Sequence, residues 1–373
     1  MKIEGFFEPF SWEEVKRAIE GREGGNLYAI QINMSRVCRR AACLYCDSPL
    51  RAPGKEEISW EELRKFLEVL KELGVGWIHV CGYGEPFDDE KFQKLLEWTK
   101  NNKIRVCAFT NGLSEIDKVL KEYNNLYLII KLDSLNPDTS AKLMGISKEK
   151  AEAHKERILK ILEEYGGKGR VAVSIVPTRL NFNLEKGVLD VLEVFFTCLK
   201  YKVFPLLGDL EKLGRTHATW QEIGMEESDL RKLRDEIERI FGIKYQTPLC
   251  PSILGIFVDP DGNIITDRYG IPCPYYECGK TTGELVLEGW GNVREIIKAN
   301  NPEEELRGVL DRIFRYQREM LSTKEAENYF ENLEKKVVFG GCGGKPFFIY
   351  AVFRKLFGSD VDSNQGCKDY QNV

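Results

Sequence analysis

The chain has 373 residues, 43% of them hydrophobic and 30% charged, enough for one large α/β domain and a smaller one around a sizeable core. A formal net charge of −5 speaks against the broad basic face that nucleic-acid binding uses. No stretch approaches the ~20 apolar residues of a membrane-spanning helix, and the opening residues carry no export signature. The eleven cysteines are therefore expected to serve metal rather than disulfides, in a reducing cytoplasm.

Residues 11–20 read as a first helix, opened by a capping box of Ser11 and Glu14. A short strand over 27–33 leads into a cysteine-bearing loop. Ser59 and Glu62 cap the next helix, which sets Leu63, Phe66, Leu67, Leu70 and Leu73 on one face and ends at Gly74. Strands are predicted over 77–82, 104–110, 126–134, 170–178 and 203–208, separated by helices near 88–100, 115–123, 148–165 and 184–200. Repeated strand–helix units imply parallel strands with right-handed crossovers, as an open doubly wound sheet or a partial barrel. In both, the site lies at the carboxyl ends of the strands, where the cysteine loop falls.

Beyond residue 208 the pattern changes. A helix is predicted over 226–241, then a hairpin over 255–267 that turns at Pro260-Asp261-Gly262-Asn263. Residues 302–336 are highly charged and read as an exposed helical pair, or alternatively as a partner surface.

The residues with chemistry cluster at the strand ends. Cys38, Cys43 and Cys46 share one short loop. Three thiolates there can hold three irons of a [4Fe-4S] cluster and leave the fourth open to a ligand. A zinc knuckle that borrows a fourth ligand is the alternative. Arg36, Arg39, Arg40 and Arg51 lie in or near this loop, suited to screening a cluster or binding an anionic substrate. Gly82-Tyr83-Gly84-Glu85-Pro86 follows the second strand; its glycines allow close backbone approach to a ligand, and Glu85 can pair with an amine. Thr110-Asn111-Gly112 and Lys131-Leu132-Asp133-Ser134 end the next two strands, and Ser174 lies in the fifth. Cys107 and Cys198, like His79 and His154, read as packing residues. Asp209, Arg215 and His217 follow the last strand, where they would meet substrate or lie in a solvated loop.

These motifs, over residues 27–215, resemble the radical S-adenosylmethionine (radical SAM) superfamily. The resemblance implies a partial (β/α)6 barrel, with a [4Fe-4S] cluster held by Cys38, Cys43 and Cys46 and Tyr45 as the aromatic before the third cysteine. It implies that Gly82, Tyr83, Gly84 and Glu85 bind the methionine amino group of S-adenosylmethionine, that Thr110 and Asn111 line the site, and that Asp133, Ser134 and Ser174 meet the ribose and carboxylate. One departure is plain: four residues separate Cys38 from Cys43, where the family has three. The added residue is expected to bulge the loop without changing its ligands.

Cys250, Cys273, Cys278, Cys342 and Cys367 form a second set. With Gly340-Gly341-Cys342 they resemble the SPASM/Twitch type of extension, which implies a small C-terminal iron–sulfur domain over 216–373 and one auxiliary [4Fe-4S] cluster. Cys250, Cys273 and Cys342 are its expected ligands, with Cys278 and Cys367 competing for the fourth place; a structural zinc is the alternative. The resemblance implies a peptide or protein substrate, with a small molecule such as a sugar, cofactor precursor or lipid head group as the second possibility and a non-catalytic metal scaffold as the third. An electron donor such as ferredoxin or flavodoxin goes with it.

Overall fold

Short strands rich in Val, Ile and Phe alternate with amphipathic helices from Ala29 to Leu207, and this alternation builds the sheet. The computed structural model describes residues 27, 29–46, 57–80, 84–208, 210, 212, 214–242, 256–267, 287–325 and 328. The elements are β1 (Ala29–Ile32), α1 (Trp60–Glu72), β2 (Trp77–Val80), α2 (Glu90–Asn101), β3 (Arg105–Thr110), α3 (Ile116–Glu122), β4 (Leu126–Lys131), α4 (Pro137–Met144), α5 (Lys148–Tyr165), β5 (Val171–Ile175), α6 (Asp190–Lys200) and β6 (Phe204–Leu207). After them come α7 (Thr216–Ile223), α8 (Glu227–Phe241), β7 (Ile256–Val258), β8 (Asn263–Asp267), β9 (Leu287–Asn292), α9 (Val293–Ile296) and α10 (Pro302–Leu321).

The strands form one sheet in the order β6-β5-β4-β3-β2-β1-β7-β8-β9. Strands β1 to β6 are all parallel, as the strand–helix alternation predicts. The result is the mostly parallel open sheet of a partial barrel. The sheet continues past β1: β7 lies parallel to it, β8 returns antiparallel to β7, and β9 is antiparallel in turn to β8. The predicted hairpin is therefore present as β7 and β8, and it extends the main sheet.

Period-2 alternation gives the sheet two different faces. One packs on helices; Ile130 of β4 meets Ile158 of α5 beside Gly112. The other carries Gln31, His79, Cys107 and Tyr127 in one register row, with Trp77 and Lys131 on the same face. There the rings of Trp77 and Tyr127 stand 5.0 Å apart, and Arg105 lies 5.2 Å over Trp77. Cys107 and Cys198 are buried, as expected of packing residues.

Several expectations need correction. The capping box of Ser59 and Glu62 forms as read, whereas the helix expected over 11–20 lies outside the described residues. Helix α6 begins at Asp190 rather than near 184, because Asn183 and Val188 pair backbone to backbone at 2.8 and 2.9 Å around a turn. Helix α4 follows β4 directly, set off by Pro137 and the Asn136 cap. The charged run after 301 does not stand clear of the core: α10 buries Leu306, Val309, Leu310, Ile313 and Phe314.

An ion network fastens the hairpin to β1. Arg36 donates through Nη2 to Asp261 at 2.5 Å and through its backbone N–H to Glu57 at 2.8 Å. Arg294 donates to Glu62 at 2.7 Å and to the Asp261 carbonyl at 3.1 Å. Asp261→Ala strands the guanidinium of Arg36 without its shortest partner, so unfolding stability should fall by ~1–3 kcal/mol. A urea titration measures this, and a midpoint equal to wild type would contradict it.

Candidate active site

The loop after β1 runs across the carboxyl end of the sheet and carries all three N-terminal cysteines. Cys38 is exposed, and Cys43 and Cys46 are half-buried. Its first part is held by β2's continuation: Glu85 N–H donates to the Val37 carbonyl at 2.7 Å, and Asp88 accepts from Arg39 N–H and from Arg40 Nε, each at 2.7 Å. Gly84 is needed at this crossing. Its φ is +79°, and a Cβ there would stand 2.4 Å from the Ser35 carbonyl oxygen.

Glu85 is buried, and its carboxylate is fully engaged inside the protein. Oε1 accepts from Thr110 Oγ1 at 2.7 Å and from Phe87 N–H at 3.3 Å; Oε2 accepts from Asn111 N–H at 2.7 Å. The sequence reading gave Glu85 an amine partner. The geometry makes it a latch between the loops after β2 and β3. Burial pushes its carboxyl up to about 7, against the pull of the Asn111, Thr110 and Phe87 donors.

The latch aims Asn111 at the cysteines. Its Nδ2 lies 3.9 Å from Cys38 Sγ, and its Oδ1 accepts from Leu113 N–H at 2.9 Å. The carbonyl of Asn111 meets Nε2 of His154, on α5, at 2.9 Å. Burial lowers the His154 pKa to about 4, so the ring is neutral at pH 7 and donates through Nε2. His154 is structural, as expected, but it braces the site.

The end of β4 supplies a second group. The Tyr45 hydroxyl donates to Asp133 Oδ2, and Asp133 Oδ1 accepts from Val176 N–H at 2.8 Å. Lys131 Nζ stands 3.5 Å from Asp133 and 4.0 Å over the Tyr45 ring. Asp133 thus pins the aromatic residue beside Cys46. Ser134 is fully buried, donates to Asp190 and accepts from Asn136 N–H at 2.9 Å, so it sets the start of α4. Ser174 stays half-buried on β5, in register with Lys131.

Among the predicted arginines, Arg36 and Arg40 are committed to ion pairs with Asp261, Glu57 and Asp88. Arg215 contacts the cysteine loop itself, donating to the Ala42 and Cys43 carbonyls. His217 is exposed. Gly82, Tyr83, Asp209, Arg51 and the second cysteine set (Cys250, Cys273, Cys278, Cys342 and Cys367) lie outside the described residues. Lys131 is a functional neighbour that the strand-end motif does not single out. Its signal was a lysine at a strand's carboxyl end, two residues before an aspartate.

The residues present fit an iron–sulfur cluster. The three sulfurs lie on one loop, near enough that the charges of Cys38 and Cys46 bear on Cys43. Among the described residues, no group of three His, Cys, Asp or Glu side chains converges to hold a single metal ion. An all-thiolate donor set spread along a loop suits separate iron corners of a cluster. Burial pushes the Cys43 thiol up to about 12 while Lys131 pulls it down, so a metal bound there would have to displace the proton.

Comparison with known proteins agrees with this geometry. The family model for the Radical SAM superfamily matches residues 32–186. A probable GTP 3',8-cyclase of Methanothermobacter thermautotrophicus is 24% identical over 173 residues, 46% of this chain and 52% of that protein. The chain thus spans about half the length of that curated relative. SuiB of Streptococcus suis bound to S-adenosylmethionine shares the fold with a TM-score of 0.52 at 15% identity, over 76% of this chain and 68% of SuiB. SuiB bound to its precursor peptide SuiA gives the same TM-score of 0.52 and 15% identity, over 76% of this chain and 67% of SuiB. Residues 32–186, which run from the end of β1 past β5 of the parallel sheet, are thus the stretch that matches the Radical SAM domain model. That domain and its relatives indicate an enzyme.

The latch yields a prediction with a defined sign. The folded-state pKa of Glu85, about 7, is raised from an ordinary 4.5. Its stabilising contribution is complete below the ordinary value and is lost as pH rises through about 7. Glu85→Gln does not titrate and sets an amide among donors, so it should be less stable than wild type by ~1–3 kcal/mol in acid. The gap should narrow between pH 5 and pH 8. Thermal melts of both proteins across that range measure it; a gap that widens with pH would overturn the assignment.

Proposed function

We propose that this protein reductively cleaves S-adenosylmethionine at a cluster held by Cys38, Cys43 and Cys46, and uses the product radical on a peptide or protein. A cluster held there would supply one electron to the sulfonium, breaking its carbon–sulfur bond to release methionine and leave a 5'-deoxyadenosyl radical able to take a hydrogen atom from the substrate. The observation that carries this reading is the three-cysteine loop at the carboxyl end of a parallel sheet, braced by Glu85, Thr110 and Asn111.

In this reading each neighbour has a physical task. Asn111 directs an amide N–H at the Cys38 sulfur. Lys131 places a cation beside Cys43 and Tyr45, against the negative charge that three thiolates bring. Gly82, Tyr83 and Gly84 offer backbone to the amino group of the cosubstrate, a task left to the main chain because the Glu85 carboxylate is engaged. Ser174 is the strand-end hydroxyl assigned to the cosubstrate.

Support for a peptide comes from the fold shared with SuiB, a structure of which holds a precursor peptide. A small-molecule substrate is the second reading, favoured by the match to the probable GTP 3',8-cyclase. We further assign Cys250, Cys273 and Cys342, with Cys278 or Cys367, to one auxiliary [4Fe-4S] cluster in a SPASM/Twitch-like extension. We place the protein in the cytoplasm, with ferredoxin or flavodoxin as reductant.

Anaerobic reconstitution with iron and sulfide should give roughly eight irons per chain for two clusters. With S-adenosylmethionine and a strong reductant, 5'-deoxyadenosine should form, and a Cys43→Ala/Cys46→Ala variant should form none. Mass spectrometry reads the product. Equal product from the variant, or a wild type without iron, would sink the proposal.

A further inference from the structure

The four-residue spacing between Cys38 and Cys43 has a structural counterpart on the far side of the loop. Ala42, the last residue of that spacer, is anchored at both its backbone groups. Its N–H donates to the Met144 carbonyl at the end of α4, at 2.8 Å. Its carbonyl accepts from Arg215 Nη1 at 2.6 Å. The same Nη1 reaches the Cys43 carbonyl at 3.1 Å, and Arg215 N–H donates to the Cys46 carbonyl at 3.0 Å.

Two further contacts complete the frame. Leu44 N–H donates to the Leu143 carbonyl at 2.9 Å, and Thr219, one turn into α7, donates through Oγ1 to the Leu44 carbonyl at 2.9 Å. Gly145, at φ +61°, makes the approach possible, because a Cβ there would stand 2.5 Å from the Ala42 carbonyl oxygen. The stretch from Ala42 to Cys46 is thus fixed by the end of α4 on one side and the start of α7 on the other.

We infer that Arg215 is a positioning residue for the cluster. It holds the lengthened Cys38–Cys43 spacer so that Cys43 and Cys46 stay in ligating order, and it sets a positive charge against the cysteine backbone. Arg215 does this through the loop and not by touching substrate, although it follows the last strand of the parallel set. The inference rests on the cluster reading above. A guanidinium suits the task because its rigid plane sets the direction of the Nη1 hydrogens that meet both carbonyls, whereas an ammonium on a flexible stem gives less geometric control. Outer-shell groups of this kind orient metal ligands and tune the metal's electronics, and their loss typically costs ~10–100-fold in metal affinity or activity.

Three variants separate the two parts of the role. Each protein is reconstituted anaerobically with iron and sulfide. The electron paramagnetic resonance signal that responds to S-adenosylmethionine then isolates this cluster from any other in the chain. Arg215→Met should lose that cluster to a chelator about tenfold faster than wild type, and its midpoint potential should move to a more negative value because a cation is gone. Arg215→Lys should keep the potential near wild type while losing the cluster faster than wild type. Thr219→Val, which leaves the charge in place, should speed loss by less than Arg215→Met and leave the potential unchanged. That variant keeps the test open should Arg215→Met not fold.

Wild-type retention and potential in Arg215→Met would overturn the inference while leaving the cluster reading intact. Faster loss with an unmoved potential would overturn the charge half of it. A wild type with no signal responsive to S-adenosylmethionine would overturn both the cluster reading and the inference.

Discussion

The site depends on one buried carboxylate. Glu85 accepts from the Thr110 hydroxyl and the Asn111 and Phe87 N–H groups, while its own N–H holds the Val37 carbonyl. Three loops that leave the sheet at different strands are thereby joined at a single residue. Strand-end loops carry unpaired backbone groups that must be satisfied wherever water is excluded. A carboxylate with four acceptor positions can satisfy several at once. The Cys38 loop, the turn after β2 and the turn after β3 cannot move independently while that group is in place.

The remaining contacts build outward from this point. His154 and Arg157 of α5 reach back to the carbonyls of residues 111–114, so a surface helix supports the turn from behind. Asp133 fixes Tyr45 and the start of the segment after β5, and Lys131 covers the same ring. Arg215 and Thr219 close the far side of the cysteine loop. The cysteines sit inside a frame of hydrogen bonds contributed by the ends of β2, β3 and β4 and by α4 and α7. Groups that must present three thiolates to one cofactor gain from such preorganisation, because the ordering is already in place when the cofactor arrives.

Much of this was legible in the residues. The cysteine spacing, the glycine-rich turn and the strand-end motifs were all found, and all the described ones do lie at one rim of the sheet. What the residues alone did not show were the internal partners that Glu85, Asp133 and Ser134 each have. Pattern gives a residue's place along the chain, whereas its hydrogen-bond partner is set by residues 25, 43 or 56 positions away. The charged segment after 301 misled for a related reason. Charge dominates its composition, but Leu306, Leu310, Ile313 and Phe314 still form a buried stripe at helical spacing.

The sequence by itself determined the parallel sheet, the order of its units and the rim at which the loop of three cysteines falls. Those follow from local periodicity and from the handedness of strand–helix–strand crossovers, which leave few topologies open. Only the tertiary structure decided which strand-end side chains bond to one another and hold the frame. It also decided that β7 adds to the edge of β1, and that the extra residue before Cys43 is absorbed between Met144 and Arg215. These outcomes depend on pairings between residues distant in sequence. No propensity encodes them, because the energy of a buried polar group depends on which partner the fold brings to it.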